Sequence, residues 1–340
     1  MIDYIKLVVF SQAFANDLRS NHLLKNSWSC FTNESTGNTI SFASYKGLRF
    51  KIYPSGRVEI DGSLHKHFNN GESNFNDYSY ASLLITLIGL KNAFGEEILN
   101  GRIENLEYGL NILLPSKVDE FLKRVIVYLN KGARLIEPIT KDDSKGYSKG
   151  IRFTLSEKAI KIYNKGLQYA KGEHLLRCEY KTIKMRSIEH IGIVKLIDLT
   201  DTTKLTALHQ CLMSSFNDIL IREEVHENEL TKAEVRIYNE CINPHKWVSM
   251  DKHKRTERKA QYKAILASKS QSDIKIEVRD LLNAKHSQLN CSDSKTSYLL
   301  TELLKDEQTD RNFGFDCLRI LNTHYFLMGV QNEKVLLAHS

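Results

Sequence analysis

Apolar and polar residues alternate along short stretches of the chain up to about residue 200. Three of these stretches have the two-residue period of β-strands, whose side chains point alternately to opposite faces; they are Gly47–Tyr53, Arg57–Asp61 and Asn105–Leu114. Two stretches with helical spacing lie among them, and we predict helices from near Ser79 to Phe94 and from Ser116 to about Asn130.

The pattern changes near Leu196, and from there the apolar spacing is helical. We predict five further helices, at Leu205–Ile221, Leu230–Ile242, Trp247–Leu266, Ile274–Leu289 and Thr296–Leu304. The fold class that this order predicts is α+β, a mostly antiparallel sheet with helices on one side, followed by an α-helical region. A boundary near Asp201 would divide the chain into domains of residues 1–200 and 201–340.

Two segments of the first part resemble each other. FKIYPSGRVEI (Phe50–Ile60) and IKIYNKG…LLRCEYK (Ile160–Lys181) each place K-I-Y before a turn and then a strand with a central Glu. Chance produces matches this short. A duplicated half-domain would also produce one, and it would bring the two acidic strands into one sheet. A polar connection, Lys141–Gly150, precedes the second segment.

Charge and cysteine content narrow the function classes. The 340 residues carry a net charge of +7, which favours a polyanionic partner, although surplus surface lysine explains it equally well. No apolar run approaches the roughly 20 residues of a membrane span, so we expect no membrane partner. The six cysteines are scattered singly, without a C-x-x-C pair, which is typical of a reduced cytoplasmic protein. There is no P-loop.

A tyrosine among charged residues is the main candidate for chemistry. Strand alternation puts Lys161, Tyr163 and Lys165 on one face, and Arg177 shares a face with Glu179 in the following strand. We interpret Tyr163 as a nucleophile acting on nucleic-acid phosphate. Its hydroxyl, with a pKa of about 10, is a poor nucleophile at neutral pH. A metal ion together with the two lysines favouring phenolate would correct that.

Three carboxylates, Glu59, Glu107 and Glu179, occupy the polar sides of their strands. If these strands are neighbours, the carboxylates lie close together and repel each other unless a cation sits between them. Mg²⁺ or Mn²⁺ prefers such oxygen ligands, so we predict a divalent metal site. The alternative is that all three are ordinary outward residues of a half-exposed sheet.

Other residues are candidates for secondary roles. Tyr169 is a rival nucleophile, and His65-Lys66-His67 is more consistent with an exposed or substrate-contacting segment than with a metal site. A basic run, Lys246–Lys263, is either a solvated helix face or a phosphate-contacting helix. The predicted DNA contacts are Lys161, Arg177, Lys66, Lys252, Lys254, Arg255, Arg258 and Lys259.

Several motifs together resemble the filamentous-phage gene II/X family of rolling-circle replication initiators, which is related to plasmid initiators of the Rep_trans type. In order they are the MID opening, G-L-R-F-K-I-Y with V-E-I, E-N-L-E-Y-G-L-N-I, K-I-Y-N-K-G, and L-L-R-C-E-Y-K-…-L-I-D-L. They span roughly Met1 to Leu199. The arrangement also resembles a rearranged relative of the His-hydrophobic-His nickases in which acids replace histidines.

The resemblance implies a metal-dependent, site-specific DNA endonuclease and strand transferase. Tyr163 would attack an origin phosphodiester, forming a 5′-phosphotyrosine and a 3′-OH primer, with Lys165 as its phosphate-side neighbour. Glu179 and Glu59 match acids of the family, and Glu107 falls where the family often has Asp. Residues 1–200 would nick and rejoin, and residues 201–340 would be an accessory DNA-binding region.

The implied partners are single-stranded or supercoiled origin DNA and the host helicase and polymerase, in the cytoplasm of a bacterial host. One tyrosine would serve both nicking and closing, or a homodimer would supply two. Two alternatives remain open: a related relaxase or transposase using the same chemistry on another DNA end, and a non-catalytic DNA-binding regulator. Origin-dependent replication separates the first from an initiator, and a covalent adduct separates an enzyme from the second.

Overall fold

The computed structural model describes residues 1–35, 37–129, 131–132, 134–135, 150–172 and 174–305. Apart from Gly150, the connection predicted at Lys141–Gly150 lies outside the described residues, as does Cys317. Among the described residues, no helix has both the length and the apolar character that crossing a membrane requires.

Within the described residues, ten strands form one antiparallel sheet. Their bounds are β1 Ile2–Phe10, β2 Ser29–Thr32, β3 Thr39–Tyr45, β4 Leu48–Ile52, β5 Arg57–Ser63, β6 Arg102–Leu113, β9 Arg134–Leu135, β10 Gly150–Thr154, β11 Lys158–Asn164 and β12 Leu175–Thr182. They are ordered β2-β3-β4-β5-β1-β6-β12-β11-β10-β9. A smaller sheet has the order β13-β7-β8, with β7 at Val125–Tyr128, β8 at Lys131–Gly132 and β13 at Ile219–Ile221.

Helices follow and interrupt the strands. Their bounds are α1 Gln12–Ser20, α2 Leu64–Phe68, α3 Tyr80–Phe94, α4 Val118–Arg124, α5 Lys165–Gln168, α6 Thr202–Asn217, α7 Lys232–Cys241, α8 Pro244–Ser249, α9 Lys252–Lys269, α10 Ile274–Leu289 and α11 Ser294–Leu304. In the part of the chain that the structure describes, 3₁₀ segments lie at Glu96–Ile98, Met185–Ile191, Leu196–Thr200 and Glu227–Glu229. The predicted fold class, α+β with a large antiparallel sheet and a helical region after it, is confirmed.

Local sequence accounts for the start and end of α3. The Ser79 side chain accepts a hydrogen bond from the backbone N–H of Ser82 at 3.2 Å, which satisfies one of the free donors at the helix start. The helix ends before Gly95, whose φ of +87° is a conformation that residues with a Cβ rarely adopt. The predicted helix from near Ser79 to Phe94 therefore has a physical start and stop.

Three predicted helices are wrong in their extent. The helix expected from Ser116 to Asn130 ends at Arg124, because Val125–Tyr128 is fully buried and pairs with β13. Ile219–Ile221, expected to extend α6, is that partner strand. The helix expected over residues 247–266 is two helices, since the Asp251 side chain accepts from the backbone N–H of Lys254 and starts α9 anew.

One face of the large sheet is apolar and covered by helices. Side chains such as Leu7, Ile60, Tyr108, Cys178 and Ile162 are fully buried on it, within one cluster that includes residues of α3, α6, α10 and α11. This burial supplies the main hydrophobic stabilisation of the fold. The opposite face carries charged and hydroxyl side chains and is called the polar face below.

Helices α7, α8 and α9 build a second, smaller core. Tyr238, Trp247 and Tyr262 pack there with Val127 and Leu220 of the smaller sheet. The helical residues after 201 are thus distributed over two cores, one of them shared with the large sheet. The division at Asp201 into two domains stays a prediction.

The strand order of the large sheet is symmetric about the boundary between β1 and β6. The hairpin β4–β5 lies beyond β1 on one side, and β11–β12 lies beyond β6 on the other. Lys51 is paired with Glu59 in the first hairpin, and Lys161 is paired with Glu179 in the second. The similarity between the two segments thus has a counterpart in strand order and in register, which favours a duplicated half-domain over chance.

Candidate functional site

Three neighbouring strands bring the candidate side chains together on the polar face. In β11, Tyr163 is paired with Arg177 of β12, and Lys161 is paired with Glu179. Across β12, Glu179 is paired with Gly109 of β6. Because directly paired residues point to the same face, these side chains form adjacent rows. Two-residue alternation predicted this grouping.

Gly109 matters because it leaves room for Glu179. A Cβ at Gly109 would lie 2.8 Å from Glu179 Cγ and 3.2 Å from Arg177 Nη2. Real Cβ atoms essentially never come as close as 2.8 Å to another atom, so a side chain at this position would force Glu179 to shift. Its role depends on the pairing of β6 with β12, which local sequence does not reveal.

Tyr163 is hydrogen bonded and largely buried. Its hydroxyl donates to Glu179 Oε1 at 2.7 Å, and the residue is 8% exposed. Burial, reinforced by the Glu179 carboxylate, raises the pKa of Tyr163 well above its ordinary value. The expectation that Lys161 and Lys165 favour phenolate is wrong for this arrangement, because the protonated hydroxyl is the form that Glu179 stabilises.

Two of the predicted carboxylates belong to a group of three. Asp3, Glu107 and Glu179 each offer one oxygen, and these oxygens lie within 4.8 Å of one another. We call this the acidic group. All three side chains are buried, and the described residues contain no other group of three potential metal ligands.

Asp3 was missed by alternation. A register shift between β1 and β6, from Ile2 to Ile5, interrupts the two-residue period near the start of β1. The Asp3 carboxylate accepts from Asn74 Nδ2 at 2.6 Å and from Arg177 Nη2 at 2.8 Å. The MID opening was the signal in the sequence, but only as part of a family resemblance.

Glu59, the third predicted metal ligand, lies outside the acidic group. It is in β5, which β1 and β6 separate from β12. Its carboxylate lies 2.7 Å from Arg57 Nη2 and 3.4 Å from Lys6 Nζ, and it accepts from the Tyr53 hydroxyl at 3.2 Å.

Cations surround the acidic group. Lys161 Nζ lies 3.2 Å from both oxygens of Glu107 and 3.1 Å from Glu179 Oε2, while Lys181 Nζ lies 2.7 Å from Glu107. Arg177 Nε donates to Glu179 Oε1 at 2.5 Å. Burial alone would raise the pKa of Glu179, but Lys161 and Arg177 outweigh it and hold the pKa well below its ordinary range.

The donor set suits a small divalent ion. Three carboxylates, each with an oxygen within 4.8 Å of the others, provide the hard oxygen ligands that Mg²⁺ and Mn²⁺ prefer. Lys161 contacts two of these carboxylates itself, so an ion and this ammonium group would compete for the same oxygens. The acidic group fits a metal provided that Lys161 moves.

Lys165 is a buried lysine next to Tyr163. It is the first residue of α5, and its Nζ donates to Asn74 Oδ1 at 2.7 Å and lies 3.4 Å from the Tyr163 hydroxyl. Burial, with Arg177 adding to it, lowers the pKa of Lys165 to about 7. A lysine with this pKa exchanges its proton at neutral pH.

Comparisons of this chain with known proteins gave few matches. No family model matches it, and no curated protein matches it. Among solved structures it is similar to a rolling circle replication initiator protein from Geobacillus stearothermophilus, with a TM-score of 0.39 and 12% identity over 71% of this chain and 95% of that chain. A likeness at this level says nothing about what the present chain binds or does.

Tyr169, the rival nucleophile, points elsewhere. Its hydroxyl donates to Asn74 Oδ1 at 2.7 Å, the oxygen that also accepts from Lys165. Burial raises its pKa as well. Tyr163 contacts the acidic group directly and Tyr169 contacts a neighbour of that group, which makes the two tyrosines a matched pair for experiment.

The histidine segment lies in α2 and differs from expectation. His65 is buried, and its Nε2 lies 2.7 Å from Asn76 Oδ1. Burial lowers the pKa of His65 to about 3. The interpretation of an exposed pair is therefore wrong. Lys66 is half-buried between the two histidines, and a contact of Lys66 with DNA stays a prediction.

The basic run lies mainly on α9. Lys252 and Lys254 are exposed near its start. Arg258 Nε lies 2.9 Å from Glu240, and Lys259 Nζ lies 3.0 Å from Asp218, so these two cations have partners within the protein. The exposed cations that this helix offers to a partner are therefore Lys252 and Lys254 near its start and Lys263 in its later half. The DNA contacts predicted for Lys252, Lys254, Arg255, Arg258 and Lys259 stay predictions.

Proposed function

We propose that this chain is a DNA nicking-and-joining enzyme that starts rolling-circle replication, with Tyr163 as its nucleophile. The observation that carries the proposal is the hydrogen bond from the Tyr163 hydroxyl to Glu179, which places this oxygen at the edge of the acidic group. The sequence resemblance, which concerns the same tyrosine and Glu179, supports it independently of this geometry.

The reaction exchanges one phosphoester bond for another. The Tyr163 oxygen attacks a phosphorus of the DNA backbone, so that an O–P bond to tyrosine forms and the bond from phosphorus to the 3′-oxygen breaks. The products are a 5′-phosphotyrosine and a 3′-OH. A 3′-OH that later attacks the phosphotyrosine rejoins the strand by the reverse step, because the bond energy is kept in the covalent link.

Lys165 is the group best matched to the proton transfer. The Tyr163 proton must leave as the bond to phosphorus forms, and the 3′-oxygen must gain one. Glu179 is a weak base, since its pKa is held low by Lys161 and Arg177. Lys165, with a pKa of about 7, accepts the proton when neutral and returns it to the 3′-oxygen.

A divalent ion held by Asp3, Glu107 and Glu179 would polarise the scissile phosphate. Lys161 would then leave these carboxylates and become available to the phosphate oxygens. Arg177 has a different part, because it is buried between Asp3 and Glu179 and fixes both carboxylates in position.

The test is whether a covalent adduct forms between the protein and DNA. Wild-type protein is incubated with Mn²⁺ and a labelled library of single-stranded DNA fragments from the replicon that carries the gene, then run on a denaturing gel. We expect an adduct with wild type and with Tyr169→Phe, and none with Tyr163→Phe. Mass spectrometry of the adduct peptide would identify the modified tyrosine. An adduct that persists in Tyr163→Phe would refute the proposed nucleophile.

The burial of Tyr163 favours one alternative, a non-catalytic DNA-binding regulator. Tyr163 is buried as a residue and its hydroxyl is engaged by a carboxylate, so the hydroxyl must be uncovered before it can attack. A regulator would bind origin DNA tightly and give no adduct with any fragment, with or without Mn²⁺. A relaxase or transposase would give the adduct without supporting origin-dependent replication.

A further inference from the structure

The polar face continues beyond the acidic group, across β5, β4 and β3 to β2. One cross-strand row holds Phe42, Lys51 and Glu59, because Phe42 is paired with Lys51 and Lys51 with Glu59. The next row along the strands holds Tyr53, Arg57 and Phe10: Phe10 is paired with Arg57, and the backbone N–H of Tyr53 donates to the Arg57 carbonyl at 2.9 Å.

Phe31, on β2, extends this second row. It is paired with Ile40, which lies two residues before Phe42 and therefore points to the same face. Phe31 is 59% exposed and Phe10 is 67% exposed, so both ends of the row present open aromatic rings. We call the six residues Phe10, Phe31, Phe42, Lys51, Tyr53 and Arg57 the aromatic platform.

Cations lie over the rings of the aromatic platform. Lys51 Nζ is 4.7 Å from the centre of the Tyr53 ring and 5.8 Å from that of Phe42. Arg57 Cζ is 5.6 Å from the Tyr53 ring and 5.8 Å from the Phe10 ring. Rings and positive charges thus alternate along this surface, in which Phe10 and Phe31 are exposed and the other four residues are half-buried.

Glu59 and Glu104, two carboxylates of this region, are neutralised from within the protein. Glu59 is held by Lys6 and Arg57, and Glu104 lies 3.3 Å from Lys6 Nζ and 3.1 Å from Arg102 Nη2. These internal ion pairs reduce the repulsion that an approaching phosphate would otherwise meet. Lys51 Nζ lies over two rings, so its positive charge is next to the surfaces on which bases would stack.

Tyr53 occupies, in the first half of the sheet, the place of Tyr163 in the second. Each follows by two residues a lysine paired with a glutamate, and the hydroxyl of each donates to that glutamate. Glu59 nevertheless belongs to no group of three carboxylates among the described residues. The first half thus has the tyrosine without the acidic group, and open aromatic rings instead.

We propose that the aromatic platform binds single-stranded DNA, whose bases stack on its rings while Lys51 and Arg57 contact the phosphates. The choice of DNA as the bound polymer rests on the proposed function. Unpaired bases each offer a flat face to an exposed ring, whereas a duplex hides them. The strand would run from the Tyr53 half of the polar face toward the acidic group. The aromatic platform would hold this strand, and Tyr53 would not cut it.

A second copy of this chain fits the surface poorly. In a symmetric dimer the same patch faces itself, which would bring Lys51 and Arg57 toward their own copies. Like charges at such an interface repel, whereas phosphates along a strand attract both cations.

The experiment measures binding without cleavage. Fluorescence anisotropy with labelled oligodeoxythymidine in EDTA compares wild type with the double variant Phe10→Ala/Phe31→Ala. The matched control is Tyr298→Ala, an aromatic that is 45% exposed on α11. We expect the double variant to weaken binding by roughly tenfold or more and the control to stay within about twofold. Lys51→Gln should reduce the dependence of log Kd on log salt by about 0.7.

Several outcomes would overturn the proposal. The first two are an affinity of the double variant within about twofold of wild type, and an equal loss of affinity in Tyr298→Ala. The third is equal or tighter binding of a duplex of the same length. The fourth is a wild-type dimer that the double variant converts to monomer. Thermal unfolding checks that the variants are folded, and both rings are exposed enough that little packing is lost.

The proposed nicking function and the proposed aromatic platform can be refuted separately. Because binding is measured in EDTA, the loss expected for Phe10→Ala/Phe31→Ala does not depend on adduct formation and supports the platform whatever the adduct assay gives. Binding that depends on Phe10 and Phe31 in a protein that forms no adduct would retain the platform and reject the nicking function. An adduct without this dependence would do the reverse.

Discussion

Lys161 Nζ lies 3.1 Å from Glu179 Oε2 on the polar face of the sheet. The same nitrogen contacts both oxygens of Glu107, so one ammonium group bridges two members of the acidic group. Burial alone would lower the pKa of Lys161, but Glu179 and Glu107 raise it, which keeps the bridge charged at neutral pH. A divalent ion that binds the acidic group has to displace this charge.

Lys161→Gln is therefore expected to bind Mn²⁺ about tenfold more tightly than wild type, a change of about 1.4 kcal/mol. Isothermal titration calorimetry of the DNA-free protein measures this directly. The control is Lys204→Gln, which removes a lysine 2.8 Å from Asp198, outside the acidic group, and should leave Mn²⁺ binding unchanged. Equal or weaker Mn²⁺ binding by Lys161→Gln would show that the ion does not share these oxygens.

Lys165 gives the adduct reaction a predicted pH dependence. Its pKa is lowered to about 7, so it is protonated below that pH and neutral above it. If neutral Lys165 accepts the Tyr163 proton, the single-turnover rate of adduct formation rises about tenfold per pH unit below pH 7 and levels off above it.

The variant Lys165→Arg keeps a positive charge at all these pH values. We expect it to lower the rate by roughly 10²- to 10⁴-fold and to abolish the inflection near pH 7. Rates are measured with saturating DNA, so that weaker binding does not mimic slower chemistry. An unchanged inflection in Lys165→Arg would assign the proton transfer to another group.

Arg177 is a buried cation between two buried carboxylates. Arg177→Met leaves Asp3 and Glu179 without it, and removing one partner of a buried ion pair costs about 3–5 kcal/mol. Chemical denaturation at pH 7 measures the loss in the free energy of unfolding. Arg279→Met is the control, since that arginine is 41% exposed and pairs with the exposed Asp280, and its loss should be within about 0.5 kcal/mol.

The pH dependence of that loss has a definite sign. Burial opposes ionisation of Asp3 and Glu179, but cations, Arg177 among them, hold both pKa values below their ordinary values of 3.8 and 4.5. Their stabilising contribution is thus present above about pH 4.5 and is lost as the pH falls further. The difference between Arg177→Met and wild type should shrink from pH 7 to pH 3, and a constant difference would contradict the ion-pair explanation.

Gly109→Ala tests whether the position of Glu179 matters for the chemistry. The new Cβ would meet Glu179 Cγ at 2.8 Å and the Cys178 carbonyl oxygen at 3.1 Å, and the resulting shift should cost about 1–3 kcal/mol of stability. We expect a folded protein whose adduct yield falls at least tenfold. Gly89→Ala is the control: nothing lies within 4 Å of its new Cβ inside α3, and the change should stabilise the helix by about 0.5–1 kcal/mol.

Sequence alone located part of the site because strand alternation is a local property. Tyr163, Glu107 and Glu179 were predicted to share a face, and the structure places them there. Which strands are neighbours in the sheet is a tertiary property that no short stretch of sequence determines. Glu59 was grouped with them because the order of strands cannot be derived from alternation, and β1 and β6 separate it from β12.

The remaining errors also have tertiary causes. Asp3 was overlooked because a register shift, set by the pairing of β1 with β6, turns it to the polar face. Val125–Tyr128 was placed in a helix because its apolar residues continue the spacing of α4, whereas β13, about 90 residues later, pairs with it. The protonated state of Tyr163 depends on its burial, which no pattern of residue types reveals.

Arg177 reaches Asp3 across 174 positions of the chain, with Nη2 and Oδ2 2.8 Å apart. Translation delivers Asp3 first, Tyr163 much later, and β12 after both. A nascent or truncated polypeptide that ends before Arg177 therefore has the tyrosine but neither the Glu179 carboxylate nor the guanidinium that fixes Asp3. Under the proposed function, no DNA can be cut until synthesis has passed β12, because the cutting centre does not exist before then.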